Sequence, residues 1–375
     1  MPLYTKIWTW GDGSSPLSGG NDQTHAYEAP GTYAVTCQVI HTSTTVPANP
    51  SASDPSEPCT VRIIIDTLVF PDTVVATIPI GAGKHNWACV LPDGNRLYVT
   101  NSDAGLVSVI DTRTNAVSGS IQVPASPTFC TASRSGQYVY VSSTTSRSVA
   151  VIRTSDDSVV NTIQIPGEPG RLALLPNDSF LYVGHNDDGL VSVVRTSDWS
   201  PVALVDVGGA PLGVTAKPGG EFVYVACGSA NVVAVVRTSD NSLVSTVPIG
   251  GTPTDIVFSP TAETAYVSCS TGDSIVLLRT SDNRTVGQAR LDSMGPLRPG
   301  RLAMLPDDKC LYVLSDDAFT LGILRRSDNY LLRLFALDLM DIAWPARVVV
   351  PHPDGSRVYV PVSGGVAVFG LRQSR

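Results

Sequence analysis

The stretch Leu97–Asn101, LYVTN, is a short run of aliphatic, aromatic and β-branched residues that ends in an asparagine. This composition predicts a β-strand followed by a turn. Similar runs return along the chain, each built around a tyrosine: Tyr98, Tyr140, Tyr182, Tyr224, Tyr266, Tyr312 and Tyr359. Successive tyrosines are 42 residues apart four times, and then 46 and 47 residues apart. A fixed period of this length indicates a repeat architecture in which each repeat is one small structural unit.

A second motif, here called the turn motif, begins 13 residues after each of the first six tyrosines. It reads DTRTN from Asp111, RTSDD from Arg153, RTSDW from Arg195, RTSDN from Arg237 and Arg279, and RRSDN from Arg325. Each repeat contains four apolar runs separated by Gly, Pro, Asn, Asp and Ser, the residues that form tight turns. Four short antiparallel strands at a period near 42 residues match one blade of a β-propeller.

The seven repeats predict an all-β fold, a seven-bladed β-propeller of four-stranded antiparallel blades, because stacked blades bury the faces that one blade leaves exposed. After Tyr359 the chain holds one further strand, GGVAVFGL, so the last blade lacks its outermost strand. The run DTVVATIPIG at residues 72–81 closely matches the outermost strand NSLVSTVPIG at residues 241–250. We therefore expect residues 72–81 to complete the last blade and close the ring of a propeller domain at residues 67–375.

The YVTN run, the VSVIDT that follows it and the TIPIG that precedes an inner strand resemble the repeat of the YVTN β-propeller family. That family is frequent in surface-layer and other cell-surface proteins of archaea and bacteria. The resemblance therefore implies an extracellular or cell-surface location. Blades 2 to 6 depart from the family by carrying RTSD in place of VIDT, and blades 6 and 7 depart in length.

Residues 1–66 do not share the repeat. The runs WTWGDGSS (Trp8–Ser15) and HAYEAPGTYAVTCQVI (His25–Ile40) resemble the PKD domain, a small immunoglobulin-like β-sandwich. The chain starts too late to supply all strands of that domain, so we interpret residues 1–66 as a partial PKD-like sandwich. Missing strands invite strand addition from a neighbouring chain, which predicts self-assembly through residues 1–66. Cys37 and Cys59 lie in two of its predicted strands and are candidates for a disulfide.

Composition excludes several classes of function. The 375 residues include 25 basic and 33 acidic side chains, a formal net charge of −8, which argues against a nucleic-acid partner. No apolar run approaches the ~20 residues that span a bilayer, so we expect no membrane span. The sequence contains no HExxH, GxSxG, P-loop or CxxC motif, and we expect neither catalytic residues nor a cofactor.

Ligand sites in propellers usually lie where the loops entering the inner strands meet the loops after the second strands, an expectation drawn from the fold alone. The insertions of blades 6 and 7 fall on that face, mainly within Leu291–Arg301 and Phe335–Arg347. Candidate ligand-binding residues on the face are His85, Trp87, Arg171, Arg301, Trp344 and Arg347. Aromatic and guanidinium groups suit a sugar, a carboxylate or a partner's side chains. Alternatively, these are solvated rim residues that cap the inner strands.

Acidic residues recur in the loops after the second strands: Asp103, Asp187, Asp188, Asp273, Asp316 and Asp317. Carboxylate oxygens are the ligands that Ca²⁺ prefers, so a weak Ca²⁺ site is one interpretation. None of these loops has the alternating acidic spacing of a dedicated calcium loop. Turn formation by short polar side chains explains the same residues without a metal.

Three functions remain open from the sequence. The first is a non-enzymatic extracellular or cell-surface structural protein, with the propeller as a rigid interaction scaffold and the PKD-like segment as an assembly contact with other chains. The second is a module that binds a carbohydrate or peptide at the loop-rich mouth. The third is a lactonase- or lyase-type propeller enzyme, which the scarcity of acidic residues at the starts of the inner strands disfavours.

Overall fold

A computed structural model describes residues 72–291, 298–315, 320–327, 329–336, 347–362 and 364–370, together with the strands of an N-terminal unit. The chain divides into two compact units, Met1–Val69 and Phe70–Arg375. No helix in the described part is long and apolar enough to cross a membrane.

The N-terminal unit has four described strands, β1 (Tyr4–Thr9), β2 (Leu17–Gly19), β3 (Gly31–His41) and β4 (Cys59–Ile65). They form one antiparallel sheet in the order β2-β1-β3-β4. Cys37 and Cys59 occupy directly opposite positions on β3 and β4. Because the side chains of this unit lie outside the described part, the PKD-like sandwich and the Cys37–Cys59 disulfide stay predictions.

The second unit begins with β5 (Thr73–Pro79) and continues in sets of four strands. Blade 1 has β6 (His85–Val90), β7 (Arg96–Asn101), β8 (Leu106–Asp111) and β9 (Ala116–Gln122). Blade 2 has β10 (Pro127–Ala132), β11 (Tyr138–Ser143), β12 (Ser148–Arg153) and β13 (Ser158–Gln164). Blade 3 has β14 (Pro169–Leu174), β15 (Phe180–His185), β16 (Leu190–Arg195) and β17 (Ser200–Asp206).

Blade 4 has β18 (Pro211–Ala216), β19 (Phe222–Cys227), β20 (Val232–Arg237) and β21 (Ser242–Pro248), with a 3₁₀ turn at Gly228–Ala230. Blade 5 has β22 (Pro253–Phe258), β23 (Thr264–Cys269), β24 (Ser274–Arg279) and β25 (Arg284–Arg290). Blade 6 has β26 (Pro299–Met304), β27 (Cys310–Ser315), β28 (Thr320–Arg325) and β29 (Tyr330–Ala336). Blade 7 has β30 (Val350–Pro351), β31 (Arg357–Val362) and β32 (Gly365–Gly370).

The predicted seven-bladed β-propeller is confirmed. Each blade is a four-stranded antiparallel sheet in sequence order, and the inner strands of neighbouring blades lie side by side from β6 round to β30, which returns to β6. The fourth strand of blade 7 is β5, which pairs with β32 in a register that sets Pro79 opposite Gly365. Residues from the two ends of the unit therefore share one sheet, and the ring has no open edge between blades.

The repeated tyrosine fastens each blade to the next as well as filling space between them. All seven of these tyrosine side chains are among the largest that are fully buried. The Tyr182 hydroxyl donates to Asn241 Oδ1 at 2.6 Å, and Tyr98 donates to Asp157 Oδ1 at 2.7 Å, in each case 59 residues later and in the following blade. Burial raises the pKa of Tyr182 to about 12, so the hydroxyl keeps its donated proton at neutral pH.

The turn motif supplies the other half of this fastening. Its last residue adopts the left-handed conformation, as at Asn241 with φ 55°, and accepts the tyrosine of the preceding blade. Its threonine donates to a carbonyl of the turn between the first and second strands, as Thr238 does to Gly220 O at 2.6 Å. Its arginine and aspartate pair with each other on the surface, as Arg237 Nη1 and Asp240 do at 3.0 Å. Each residue type in the motif therefore has a structural partner.

The junction of blade 7 with blade 1 is held differently. The Tyr359 hydroxyl and its expected acceptor, Asn115 Oδ1, are both buried without a hydrogen-bond partner. Arg357 instead donates from Nη1 to Thr112 O at 2.7 Å, and His352 Nε2 lies 3.0 Å from Gly94 O. The closing junction thus relies on long basic side chains from blade 7.

Candidate functional site at the central ring

One position near the start of each inner strand, 11 residues before the repeated tyrosine, faces the axis of the propeller. In blades 1 to 6 this position holds Trp87, Phe129, Arg171, Gly213, Asp255 and Arg301, here called the central ring residues. A β-bulge interrupts the pairing of each of these inner strands with its second strand just before or at this position. Bulges re-aim side chains, and here they precede the residues that meet across the axis.

An ion pair crosses the ring between two blades that are not neighbours. Arg171 Nη2 of blade 3 lies 2.5 Å from Asp255 Oδ1 of blade 5, and both side chains are only 10% exposed. Blade 4 lies between them and contributes Gly213. A Cβ atom at Gly213 would approach Asp255 Cα to 3.0 Å and Thr254 O to 3.1 Å. The glycine therefore provides the space through which the pair forms.

Aromatic rings complete the cluster on the side of blades 1 and 2. Trp87 and Phe129 pack edge to face, with ring centroids 5.0 Å apart. The guanidinium carbon of Arg171 lies 4.0 Å from the Trp87 ring centroid and 5.6 Å from that of Phe129. Arg301 approaches the same Trp87 ring to 5.9 Å. Two cations thus share one indole face region, which is the geometry of a cation–π contact.

Asp255 is fixed by its backbone surroundings. Its Oδ1 accepts from Ile256 N at 3.0 Å and its Oδ2 from Leu302 N at 3.1 Å. Arg301 Nη1 donates to Thr254 O at 2.9 Å, whereas Arg301 Nε is buried and has no hydrogen-bond partner. With two guanidinium groups and one carboxylate, the ring carries one positive charge more than it balances internally.

His85 begins β6 at the position where blades 2 to 6 carry proline. Its side chain is buried, and Nε2 lies 3.0 Å from Gly81 O, so Nε2 carries the proton and donates. Nδ1 is buried without a partner. Burial lowers the pKa of His85, which favours a neutral imidazole whose Nδ1 lone pair is unused.

The predicted ligand-binding residues thus fall into three groups. Trp87, Arg171 and Arg301 meet in the central ring, and His85 lies two residues from Trp87 on the same strand. Arg347 is exposed. Trp344 lies outside the described residues.

Sequence reasoning did not include three members of the ring among the candidates: Phe129, Gly213 and Asp255. The fixed offset of 11 residues from the tyrosine picks out all three. That offset gives the position in the blade. It does not show which residues on opposite sides of the axis pair with each other.

A cavity of about 930 Å³ extends along the inner strands from the central ring. At one end it is lined by Trp87, Arg171 and Asp255, and at the other by proline residues of the turns between first and second strands, including Pro176 and Pro306. Between these ends the lining consists mainly of aliphatic and small side chains of the inner strands. The central ring therefore separates this cavity from the loop-rich face.

The acidic loop residues hold neighbouring backbone in place. Asp103, Asp187 and Asp273 accept hydrogen bonds from Lys84 N at 3.2 Å, Glu168 N at 2.9 Å and Arg298 N at 2.8 Å, respectively. Ser229 and Thr271 occupy the position of Asp103 in blades 4 and 5 and accept from Ala210 N and Thr252 N. Asp316 and Asp317 lie outside the described residues. Within the described residues, no group of three or more His, Cys, Asp or Glu side chains is placed to hold a metal ion.

A hydrogen-bonded chain in blade 3 links an aspartate, a histidine and a serine. His185 Nδ1 lies 3.1 Å from Asp188, and its Nε2 lies 2.8 Å from Ser192 Oγ. The order of groups matches that of a serine nucleophile with its base. However, His185 is 0% and Ser192 is 3% exposed, so a substrate has no path to the serine oxygen. In this structure the chain fixes the loop after β15.

Comparisons with known proteins identify the fold. Scans against protein families and against curated proteins found no match. Among solved structures, Kuenenia stuttgartiensis hydrazine synthase superposes with a TM-score of 0.69 at 19% identity, covering 80% of this chain and 99% of that chain. The β-propeller domain of Cps50 (Swd1) from Myceliophteria thermophila superposes with a TM-score of 0.70 at 13% identity, covering 80% of this chain and 100% of that chain. At these identities the likeness is one of fold alone: the chain is similar to seven-bladed β-propellers.

Proposed function

We propose that this chain is a non-enzymatic structural or assembly protein of the cell surface or extracellular space. Its propeller acts as a rigid interaction scaffold, and residues 1–66 act as a contact with other protein chains. In this proposal the repeats are of the YVTN surface-layer type and the N-terminal segment is a partial PKD-like module. The resemblance of LYVTN, and of WTWGDGSS with its following strand, supports both assignments.

The observation that carries the proposal is the distribution of exposed apolar side chains. Among the described side chains, nine large apolar residues are exposed, and all nine lie on outermost strands: Val74, Val75, Val117, Val159, Val202, Leu204, Leu243, Val244 and Val286. Six of the seven blades contribute at least one. Exposed apolar surface that recurs in this way indicates contacts with other macromolecules. An apolar rim on a rigid disc suits a scaffold.

Two internal features support the rigidity that a scaffold needs. The tyrosine hydroxyls fasten successive blades through buried hydrogen bonds, as between Tyr182 and Asn241. The Arg171–Asp255 ion pair joins blades 3 and 5 across the axis. These side chains are occupied with one another, which favours a structural role for the ring over catalysis.

The proposal is tested by sedimentation velocity of the full chain over rising concentration. We expect reversible assemblies, and weaker assembly for a chain that begins at residue 70, which keeps the closing strand β5. A full chain that stays monomeric at every concentration contradicts the proposal. Counting reactive thiols in the denatured, unreduced protein tests the Cys37–Cys59 disulfide: five are expected with the bond and seven without it.

A second candidate function is recognition of a carboxylate-bearing carbohydrate or peptide at the loop-rich mouth. It is favoured by one observation: Arg301 Nε, beside Trp87, is a buried donor without a partner. A guanidinium edge of this kind pairs with a carboxylate through two parallel hydrogen bonds. The test is binding to arrays of acidic glycans and peptides by the wild type, by Arg301→Gln and by Arg195→Gln as an exposed control. This candidate requires binding that only Arg301→Gln removes, and arrays without any signal contradict it.

A further inference from the structure

The exposed apolar side chains of the rim gather in two patches. Outermost strands β17 and β21 of blades 3 and 4 lie beside each other and expose patch A, which consists of Val202, Leu204, Leu243 and Val244. Outermost strands β5 and β9 of blades 7 and 1 lie beside each other and expose patch B, which consists of Val74, Val75 and Val117. The most exposed members are Val75 at 53% and Leu204 at 50%.

Both patches are nearly free of charge. Strands β5, β9 and β21 contain no charged residue, and β17 has only Asp206 at its end. The turn arginines beside patch A are paired within their own turns, as Arg195 is with Asp198 and Arg237 is with Asp240, each at 3.0 Å. A strongly charged partner therefore has little to recognise here. The surface complements another neutral, aliphatic surface.

The backbone of these strands disfavours strand addition. A β-bulge occurs at the same place in the outermost strand of every blade, where one residue has no partner on the third strand. In the two patches the extra residues include Val75, Val202 and Val244. Bulges twist an edge away from the geometry that a new strand requires. Contact at the patches is therefore made by side chains and not by backbone hydrogen bonds.

The patches face different directions. Patch A lies at the junction of blades 3 and 4, and patch B at the junction of blades 7 and 1. With seven blades spaced evenly around the axis, these junctions are separated by about three sevenths of a turn, ~150°. A disc with apolar patches on nearly opposite sides can contact two neighbours at once. Repeated contacts that do not close a ring produce open rows.

We propose that patches A and B are self-assembly surfaces, and that the occupant of each is the rim of a second copy of this chain. Discs then join edge to edge into rows. This inference rests on the proposed function as an assembly protein, and adds a contact surface on the propeller to the one expected in residues 1–66.

The size of the patches sets the expected strength. Four aliphatic side chains, each roughly half exposed, offer on the order of 300 Å² per partner, against about 800 Å² in a stable dimer. One such contact is therefore weak. Assembly gains strength only when each disc engages both patches, so we expect reversible growth that depends steeply on concentration.

The test replaces each patch residue with the residue that another blade carries at the same position. The patch A variant is Val202→Ser, Leu204→Thr, Leu243→Thr and Val244→Ser, after Ser118, Thr162, Thr285 and Ser118. The patch B variant is Val74→Thr, Val75→Ser and Val117→Thr, after Thr285 and Ser118. The control is Val159→Thr with Val286→Ser, which removes rim valines outside both patches. Because each substitution already occurs in a folded blade, we expect all three proteins to fold, which thermal unfolding checks.

Sedimentation velocity is then compared across the set. We expect open-ended growth for the wild type and the control, and no species larger than a dimer for either patch variant. If the wild type assembles and the patch A variant assembles equally, the rim proposal is wrong and the assembly function stands. A wild type that stays monomeric contradicts the assembly function as well. If the patch B variant assembles normally but melts at a lower temperature, patch B is covered by the same chain, and the proposal fails for that patch.

Discussion

The turn motif and the central ring both use one position per blade, yet they are filled in opposite ways. The turn threonine meets the same partner in every blade where it occurs: Thr154 donates to Gly136 O and Thr238 donates to Gly220 O, each at 2.6 Å. The central ring holds a different residue in each of blades 1 to 6. A position whose neighbours recur accepts one solution repeated. A position on the axis meets the side chains of all the other blades, so it needs residues that complement one another.

Replacement of the ring arginine is the strongest way to break this comparison. Arg171→Ala leaves Asp255 buried without its charge partner, and loss of one partner of a buried pair costs about 3–5 kcal/mol. Arg195→Ala, in the turn motif of the same blade, removes a pair that is 47% and 51% exposed, and such pairs contribute about 0–1 kcal/mol. Denaturant unfolding of both variants measures the difference. Equal losses would show that the ring pair has no special weight.

Gly213 offers a smaller, steric test of the ring. In Gly213→Ala the added methyl group meets backbone atoms of Thr254 and Asp255 at about 3 Å, and crowding of this kind costs ~1–3 kcal/mol. Gly119 on outermost strand β9 has no atom within 4 Å of the added methyl, so Gly119→Ala should be neutral or slightly stabilising. The midpoints of denaturant unfolding compare the two. A neutral Gly213→Ala would mean that the ring relaxes around the methyl.

The tyrosine hydroxyls provide the finest test, because the repeat contains its own control. Tyr182→Phe removes the hydrogen bond to Asn241 and should cost about 0.5–1.5 kcal/mol. Tyr359→Phe removes a hydroxyl that is buried without a partner, so we expect no loss of stability. Urea unfolding of both variants against the wild type gives the two values. An equal cost at both sites would show that the hydroxyl contributes through packing and not through the bond to the next blade.

The regular part of the molecule could be predicted from the sequence because period and hydrophobic pattern are local properties. The interval between tyrosines predicted the blades, and the two landmarks in phase predicted their four strands. The tyrosine fastening was missed, although Tyr182 and Asn241 stand 59 residues apart, like Tyr98 and Asp157. A search for a second interval, longer than the repeat by the depth of one blade, would find such pairs.

The candidate site could be predicted only in part. The offset of 11 residues placed Trp87, Arg171 and Arg301 at one level of the propeller. The pairing of Arg171 with Asp255 depends on the reach of the arginine across the axis and on the missing side chain at Gly213. Neither is contained in the period of the repeat. The expectation of a mouth that presents free guanidinium groups therefore overlooked the charge that blade 5 supplies.

The shared sheet of blade 7 has a consequence for how the chain is made. Its partners, β5 and β32, pair Thr73 with Gly370, so almost the whole propeller separates the two strands in the sequence. During synthesis the ribosome releases β5 long before β32 exists, and the ring stays open until then. Contacts between such distant residues form late and slowly, because a long loop must first be closed. The last blade is therefore the step at which folding of the nascent propeller is completed, and a chain stalled before residue 365 is expected to expose an unpaired β5.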